Sequence, residues 1–145
     1  MTYDNIVTGT FLKRPNRFIA YVEVKGDVKT CHVKNTGRCQ ELLVPGCTVV
    51  LEFHPKAKEM KRKTEYDLIA VYKGNLLINM DSQAPNQAAL EWIREKEAKG
   101  LSLENVGIPT NIRREVTHGE SRFDLAFELK DEVTGKTVPA FMEVK

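Results

Sequence analysis

Asp124 lies in the stretch "SRFDLAFEL", and Glu143 and Lys145 stand two apart in the closing "PAFMEVK". Two carboxylates held side by side suit a hard divalent cation such as Mg2+ or Mn2+, which takes oxygen ligands. Such a cation polarises a phosphoryl oxygen and activates a bound water. A lysine two residues beyond the glutamate shares its strand face and can stabilise charge developing on phosphate. Asp124 and Glu143 are therefore the expected metal ligands, and Asp124, Glu143 and Lys145 the expected catalytic set. By itself Glu-x-Lys means little, because at average composition a chain of this length holds one by chance about as often as not.

The pattern gains weight from the elements that must position it. "SRFDLAFEL" and "KTVPAFMEVK" alternate with period two, and "KDEVTGK" between them reads as a turn. Centring that turn between Val133 and Thr134 sets Phe123, Leu125, Phe127 and Leu129 opposite Val144, Met142, Ala140 and Val138. A shift of one residue destroys this apolar face. The same register puts Asp124 opposite Glu143 and Arg122 opposite Lys145. Like charges directly opposite destabilise a hairpin. Either a divalent cation or the flanking Arg122 and Lys145, as an ion-pair ladder, would offset that cost. The preceding "PNQAALEWIREKEAKG" predicts a helix from Pro85 to Gly100, with Ala88, Leu90, Trp92 and Ile93 on its apolar side and Glu91 or Glu95 as further acidic donors. "IPTNIRREVT" adds a third strand. Asp followed by Glu-x-Lys on the next antiparallel strand resembles the PD-(D/E)xK nuclease superfamily.

The first half has another character. "RFIAYVEV", "VKTCHV", "PGCTVVLEF", "EYDLIAVY" and "LLINM" read as five short strands, with Gly-centred hairpin turns at "KGD" and "KGN". Five strands in so short a span predict a small barrel of the OB type. "NTGRCQELL" predicts a helical turn capped by Asn35 or Thr36, with Gly37 free to bring backbone close to a ligand. The expected architecture is α+β: an OB-like nucleic-acid-binding barrel over 1–82, then an incomplete nuclease-like domain of one helix and three strands over 83–145.

Charge divides along the same line. Residues 1–80 carry 13 Lys and Arg against 8 Asp and Glu, and residues 81–145 carry 9 against 12. A basic first half points to a polyanionic partner. The expected contacts are Lys13, Arg14 and Arg17; Lys34 with the loop Asn35, Thr36, Gly37 and Arg38; and Lys61, Arg62 and Lys63 within "HPKAKEMKRK". Solvated loops are the alternative for each charge run.

No apolar run is long enough to cross a bilayer, and "MTYDNIVTGT" lacks the features of a secretory leader. Cys31, Cys39 and Cys47 stand eight apart, without the close pairs of structural zinc sites. Buried or half-buried reduced thiols in a cytoplasm are expected.

"FLKRPNRFIAYVEV", "CHVKNTGRCQELLVPG", "KTEYDLIAVYKGNLLINMDSQAPN" and "SRFDLAFEL…FMEVK" together resemble the sugar fermentation stimulation protein A family across essentially the whole chain. The resemblance implies a DNA-associated protein with an N-terminal OB-like barrel and a C-terminal PD-(D/E)xK-like domain, and it lends Asp124, Glu143 and Lys145 their roles. It also implies that relatives continue past Glu-Val-Lys, so that this chain is truncated and leaves an uncovered strand edge, which invites a second copy. The functional expectation is DNA binding with little sequence specificity, linked by the family name to sugar-metabolism genes. The alternative is a Mg2+-dependent endonuclease.

Overall fold

A computed structural model describes all 145 residues, which divide into two compact units, Thr2–Gln83 and Ala84–Lys145 joined by Met1. The first contains strands β1 (Ile6–Lys13), β2 (Ile19–Val24), β3 (Asp27–Val33), β4 (Thr48–Phe53), β5 (Tyr66–Lys73) and β6 (Leu76–Asn79). They follow the order β3-β2-β1-β4-β5-β6. A parallel pairing of β3 with β5, Cys31 to Tyr66 through Val33 to Leu68, closes β1–β5 into the expected OB-like barrel.

The set of strands differs from the sequence reading in one respect. β1 is a barrel strand that the pattern did not reveal, and β6 is a hairpin extension outside the closed ring. Gly9, in the middle of β1, explains the omission. A glycine weakens strand propensity, yet close packing leaves no room for another residue. A Cβ there would sit 2.5 Å from Val22 Cγ1 and 2.8 Å from the Glu23 carbonyl. The barrel interior takes the alternate side chains of its strands: Phe11, Ala20, Val22, Cys31, Val33, Val49, Leu51, Leu68 and Val71, capped by Leu43 and Met80. "NTGRCQELL" does form a turn, but at its far end, where Leu42 and Leu43 both donate to the Cys39 carbonyl.

The second unit is α1 (Ala84–Lys99) with β7 (Ile108–His118), β8 (Ser121–Lys130) and β9 (Thr137–Met142), paired β7-β8-β9 in an antiparallel sheet. The register is the expected one, with Leu125 opposite Met142, Phe127 opposite Ala140 and Leu129 opposite Val138. Leu125, Phe127 and Leu129 pack with Leu90 and Ile93 of the helix. Pro139 costs no internal bond here, since β9 is an edge strand. Trp92 and Ala88 do not join this core. Trp92 is 48% exposed, with Lys96 Nζ 5.9 Å from its ring centroid. Adjacent helical residues diverge by about 100°, so a stripe centred on Leu90 and Ile93 turns Trp92 outward. Phe123 also leaves the helix-packed face, and its ring meets Phe141 at 4.8 Å.

Candidate nucleic-acid interface

Three loops of the barrel carry the basic residues. In the β1–β2 loop, Asn16 Oδ1 accepts from the N–H of Phe18 (2.9 Å) and of Ile19 (3.0 Å), fixing the entry to β2. Arg14 joins this loop to the one after β3. Its Nη1 donates to the carbonyls of Gly37 (2.6 Å) and Arg38 (2.7 Å), and its Nη2 to those of Arg17 (2.6 Å) and Asn35 (2.6 Å). Nε is buried without a partner. Of the five N–H donors of a guanidinium, four are taken by carbonyls and the fifth, on Nε, is buried, so none is open to a phosphate. Arg14 thus builds the loop. Asn35 Oδ1 accepts from Gly37 N–H at 2.9 Å, which adds a second tie inside the segment. Thr36, Gly37 and Arg38 are left exposed.

Lys34 is also engaged. Its ammonium lies 2.7 Å from Asp81 Oδ2, and the Tyr3 hydroxyl donates to the same oxygen at 3.0 Å. Burial opposes charge on both partners, but their mutual hydrogen bond and attraction prevail. They raise the Lys34 pKa and, with the Gln83 N–H, lower that of Asp81. Burial raises the Tyr3 pKa.

The β4–β5 loop is folded over Asp67. Met60 donates to the Lys56 carbonyl in a single helical turn, which ends with Lys61 N–H bonded to Lys58 and Arg62 N–H to Ala57. This pair of bonds is a Schellman ending with Lys61 in the left-handed position, at φ 55°. Arg62 then reaches Asp67 Oδ1 at 2.6 Å, while His54 Nε2 meets Oδ2 at 2.9 Å and His32 Nδ1 lies 3.4 Å from Oδ1. Asp67 is buried. It holds the loop down from beneath and leaves Lys61 and Lys63 in solvent.

Two adjoining clefts bring these loops together. One, of about 280 Å³, is lined by Arg14, Asn16, Arg17, Thr36, Arg38, Gln40 and Leu43. The other, of about 520 Å³, is lined by Asn16, Phe18, Ile19, His32, Arg62, Lys63 and Thr64. Lys13, Lys34 and Lys61 line neither. Sequence reasoning passed over Asn16 and Asp67, and it set Phe11 and Phe18, interleaved with the basic residues, in the core; Phe11 is buried there, whereas Phe18 is exposed. An acid inside the apolar run "YDLIAV" was the available signal for Asp67.

Donor atoms of Glu52, His54 and Asp67 all lie within 4.8 Å of one another, and such a cluster can coordinate a divalent ion. His54 Nε2 is 2.9 Å from Asp67 and 3.6 Å from Glu52. Those spacings bracket the edge of about 3.4 Å of a tetrahedron with metal bonds of about 2.0–2.1 Å. An imidazole donor suits zinc better than Mg2+. Any ion would share Asp67 with Arg62.

In the second unit the β8–β9 ladder ends at Leu125–Met142. Asp124 therefore meets the segment after β9 through its side chain: Oδ2 accepts from Val144 N–H at 2.8 Å. Oδ1 accepts from Asn86 Nδ2 of α1 at 3.1 Å. Helix α1 thus reaches Asp124 with Asn86, whereas Glu91 bonds Gln87 and Glu95 pairs with Lys99. Glu143 and Lys145 are exposed and 3.6 Å apart. Arg122 pairs with Glu115 at 3.2 Å. Both Asp124 oxygens thus accept hydrogen bonds from the protein, while Glu143 stands in solvent beside Lys145.

The three thiols are free, with Cys31 buried and Cys39 and Cys47 half-buried, as expected. No helix is long and apolar enough to cross a membrane.

Comparison with known proteins agrees with this architecture. Residues 12–80 match the SfsA N-terminal OB domain. Over its full length the chain is 53% identical to a sugar fermentation stimulation protein homolog of Alkaliphilus oremlandii, spanning 58% of that protein. It is 48% identical to the homolog of Clostridium beijerinckii, spanning 57%. A solved structure of Pyrococcus furiosus SfsA in complex with Ca2+ superposes on 99% of this chain and 55% of its own, with 26% identity and a TM-score of 0.72. The chain therefore spans a little over half the length of the relatives it matches, and it belongs to the sugar fermentation stimulation protein family.

Proposed function

We propose that this chain binds DNA through its barrel with little sequence preference, and that in the cell it acts on the expression of sugar-metabolism genes. The observation that carries the binding proposal is the convergence of Arg17, Arg38, Arg62 and Lys63 on two adjoining clefts. Phosphate contacts of this kind supply affinity without reading sequence. Arg14, Lys34 and Arg62 act mainly by shaping the loops, and Arg17, Arg38, Lys61 and Lys63 supply the mobile charge. Thr36 lines the smaller cleft, and Lys13, Asn35 and Gly37 adjoin its lining residues in the chain. The test is fluorescence anisotropy of labelled duplexes of unrelated sequence across a salt series. Comparable affinities and a steep salt slope are expected. Replacing Arg17, Arg38 and Lys63 together with alanine should reduce the slope by about 2–3 units, near 0.9 per lost phosphate contact. An unchanged slope would reject the assignment.

A second reading, a metal-dependent endonuclease, is favoured by one observation: Asp124 is half-buried and fixed from two sides by Asn86 and Val144. Asp124 and Glu143 would hold a hard cation such as Mg2+ or Mn2+, or the Ca2+ found with the Pyrococcus furiosus protein. When bound, the ion would polarise a scissile phosphate. Lys145 would stabilise charge on that phosphate. Plasmid nicking with and without Mg2+, in this chain and its Asp124→Asn variant, tests the idea. Nicking that is equal in both would exclude Asp124 from the chemistry.

A further inference from the structure

Phe18 is 53% exposed, an unusual position for a phenylalanine whose backbone is so firmly held. Its N–H is bonded to Asn16 Oδ1, and its carbonyl accepts from Val33 N–H at 2.8 Å. The ring is thus presented to solvent from a rigid base and does not swing on a loose loop. It lines the larger cleft beside His32 of β3, whose side chain is 45% exposed. Arg62 and Lys63 lie along that cleft, and Asn16 connects it to the smaller one, where Arg17 and Arg38 lie.

Taken singly, an exposed phenylalanine or a basic cleft is ordinary. Together they match one ligand chemistry: an accessible π-face with cations on both sides of it. A duplex offers phosphates, but its base faces are stacked against one another. An unpaired strand offers phosphates and free base faces in alternation. Base stacking on an aromatic ring is indifferent to sequence, because every base has a π-face.

We infer that the barrel binds unpaired DNA in preference to duplex, with a base stacked on Phe18 and the flanking phosphates on Arg17 and Arg38 to one side and Lys63 to the other. This inference rests on the DNA-binding reading above and names its substrate. A purely apolar protein segment would fit Phe18 but would leave the surrounding cations without partners.

The experiment measures anisotropy with three labelled probes at one low salt concentration: a thymidine 12-mer, a 12-base-pair duplex and a 12-mer of abasic sites. The proteins are wild type, Phe18→Ala, Phe18→Trp and the double variant Arg17→Ala/Arg38→Ala. Thermal melting verifies that each variant is folded. The wild type should hold the thymidine strand more tightly than the duplex or the abasic strand. Phe18→Ala should lose about 5- to 100-fold on the thymidine strand alone, and Phe18→Trp should keep the wild-type preference. If Phe18→Ala and wild type bind every probe alike while Arg17→Ala/Arg38→Ala weakens all of them, stacking is refuted and DNA binding stands. If Phe18→Ala is unfolded, equal binding of thymidine and abasic strands by wild type and Phe18→Trp refutes stacking just as well. Binding of no probe by the wild type would overturn both readings.

Discussion

Arg62 and Asp67 are near neighbours in the chain and form a 2.6 Å ion pair, with the carboxylate buried beneath the loop that carries the guanidinium. His54 holds the other oxygen of the same carboxylate. The basic loop is therefore fixed by an acid under it, and its remaining charges point outward.

Removing that acid should be costly. Asp67→Ala leaves Arg62 and His54 without their partner and should destabilise the barrel by about 3 kcal/mol, in the range for breaking a buried pair. Urea unfolding measures it. A combined Arg62→Ala/Asp67→Ala variant should be less destabilised than the sum of the single changes, since the two residues share one interaction.

Lys61 should be a site of gain. It occupies the left-handed position that ends its helical turn, whereas Gly100 does so after α1 with equivalent bonds from Gly100 and Leu101 to Glu97 and Lys96. Lys61→Gly should stabilise the barrel by up to about 1 kcal/mol by relieving Cβ strain. The melting temperature should rise even as the lost charge weakens any DNA binding.

The Lys34–Asp81 pair sets limits on pH. Asp81 titrates below its ordinary 3.8 in the folded protein, so its contribution is present above that value and fades as acid protonates it. Lys34 titrates above its ordinary 10.5, so its contribution is present below that value and is lost as pH rises through the raised one. The raised Tyr3 pKa acts in the same alkaline direction. Stability measured against pH for wild type and Asp81→Asn should differ by a constant amount between about pH 5 and 10. The two curves should converge outside that window, and curves that stay parallel throughout would refute the pair's role.

Burial pushes the Cys31 thiol up to about 12 and makes it inert. A thiol reagent at neutral pH should modify at most Cys39 and Cys47 in the folded protein and reach Cys31 only in denaturant. Rapid native labelling of Cys31, located by mass spectrometry, would contradict the closed barrel.

How much of this was written in the sequence depends on whether a feature is periodic. The β8–β9 register was legible because side chains alternate strictly, and three apolar pairs fit only one alignment. β1 was not, because Gly9 interrupts its pattern for the sake of a close approach to β2. The basic loops were visible as charge. Their division of labour was not, since Arg14 spends four donors on backbone carbonyls of its own loop and of the one after β3, and carbonyls leave no mark in a sequence. Asp124 stood out as an acid in a strand, but its partners Asn86 and Val144 N–H belong to tertiary geometry.

The parallel seam between β3 and β5 has a consequence for how the molecule comes into being. β1–β2–β3 and β4–β5 can each zip up between chain neighbours. Both joins between them, β1 with β4 and the seam, must wait for residues distant in sequence to meet, which slows such steps. The seam is the one that closes the ring. It is only three pairs long, from Cys31 with Tyr66 to Val33 with Leu68. The larger cleft draws Asn16 and Phe18 from one side of that seam and Arg62 and Lys63 from the other. A chain whose seam is still open would hold the residues of the smaller cleft but could not assemble the larger one, so the full recognition surface should arrive only as the barrel closes.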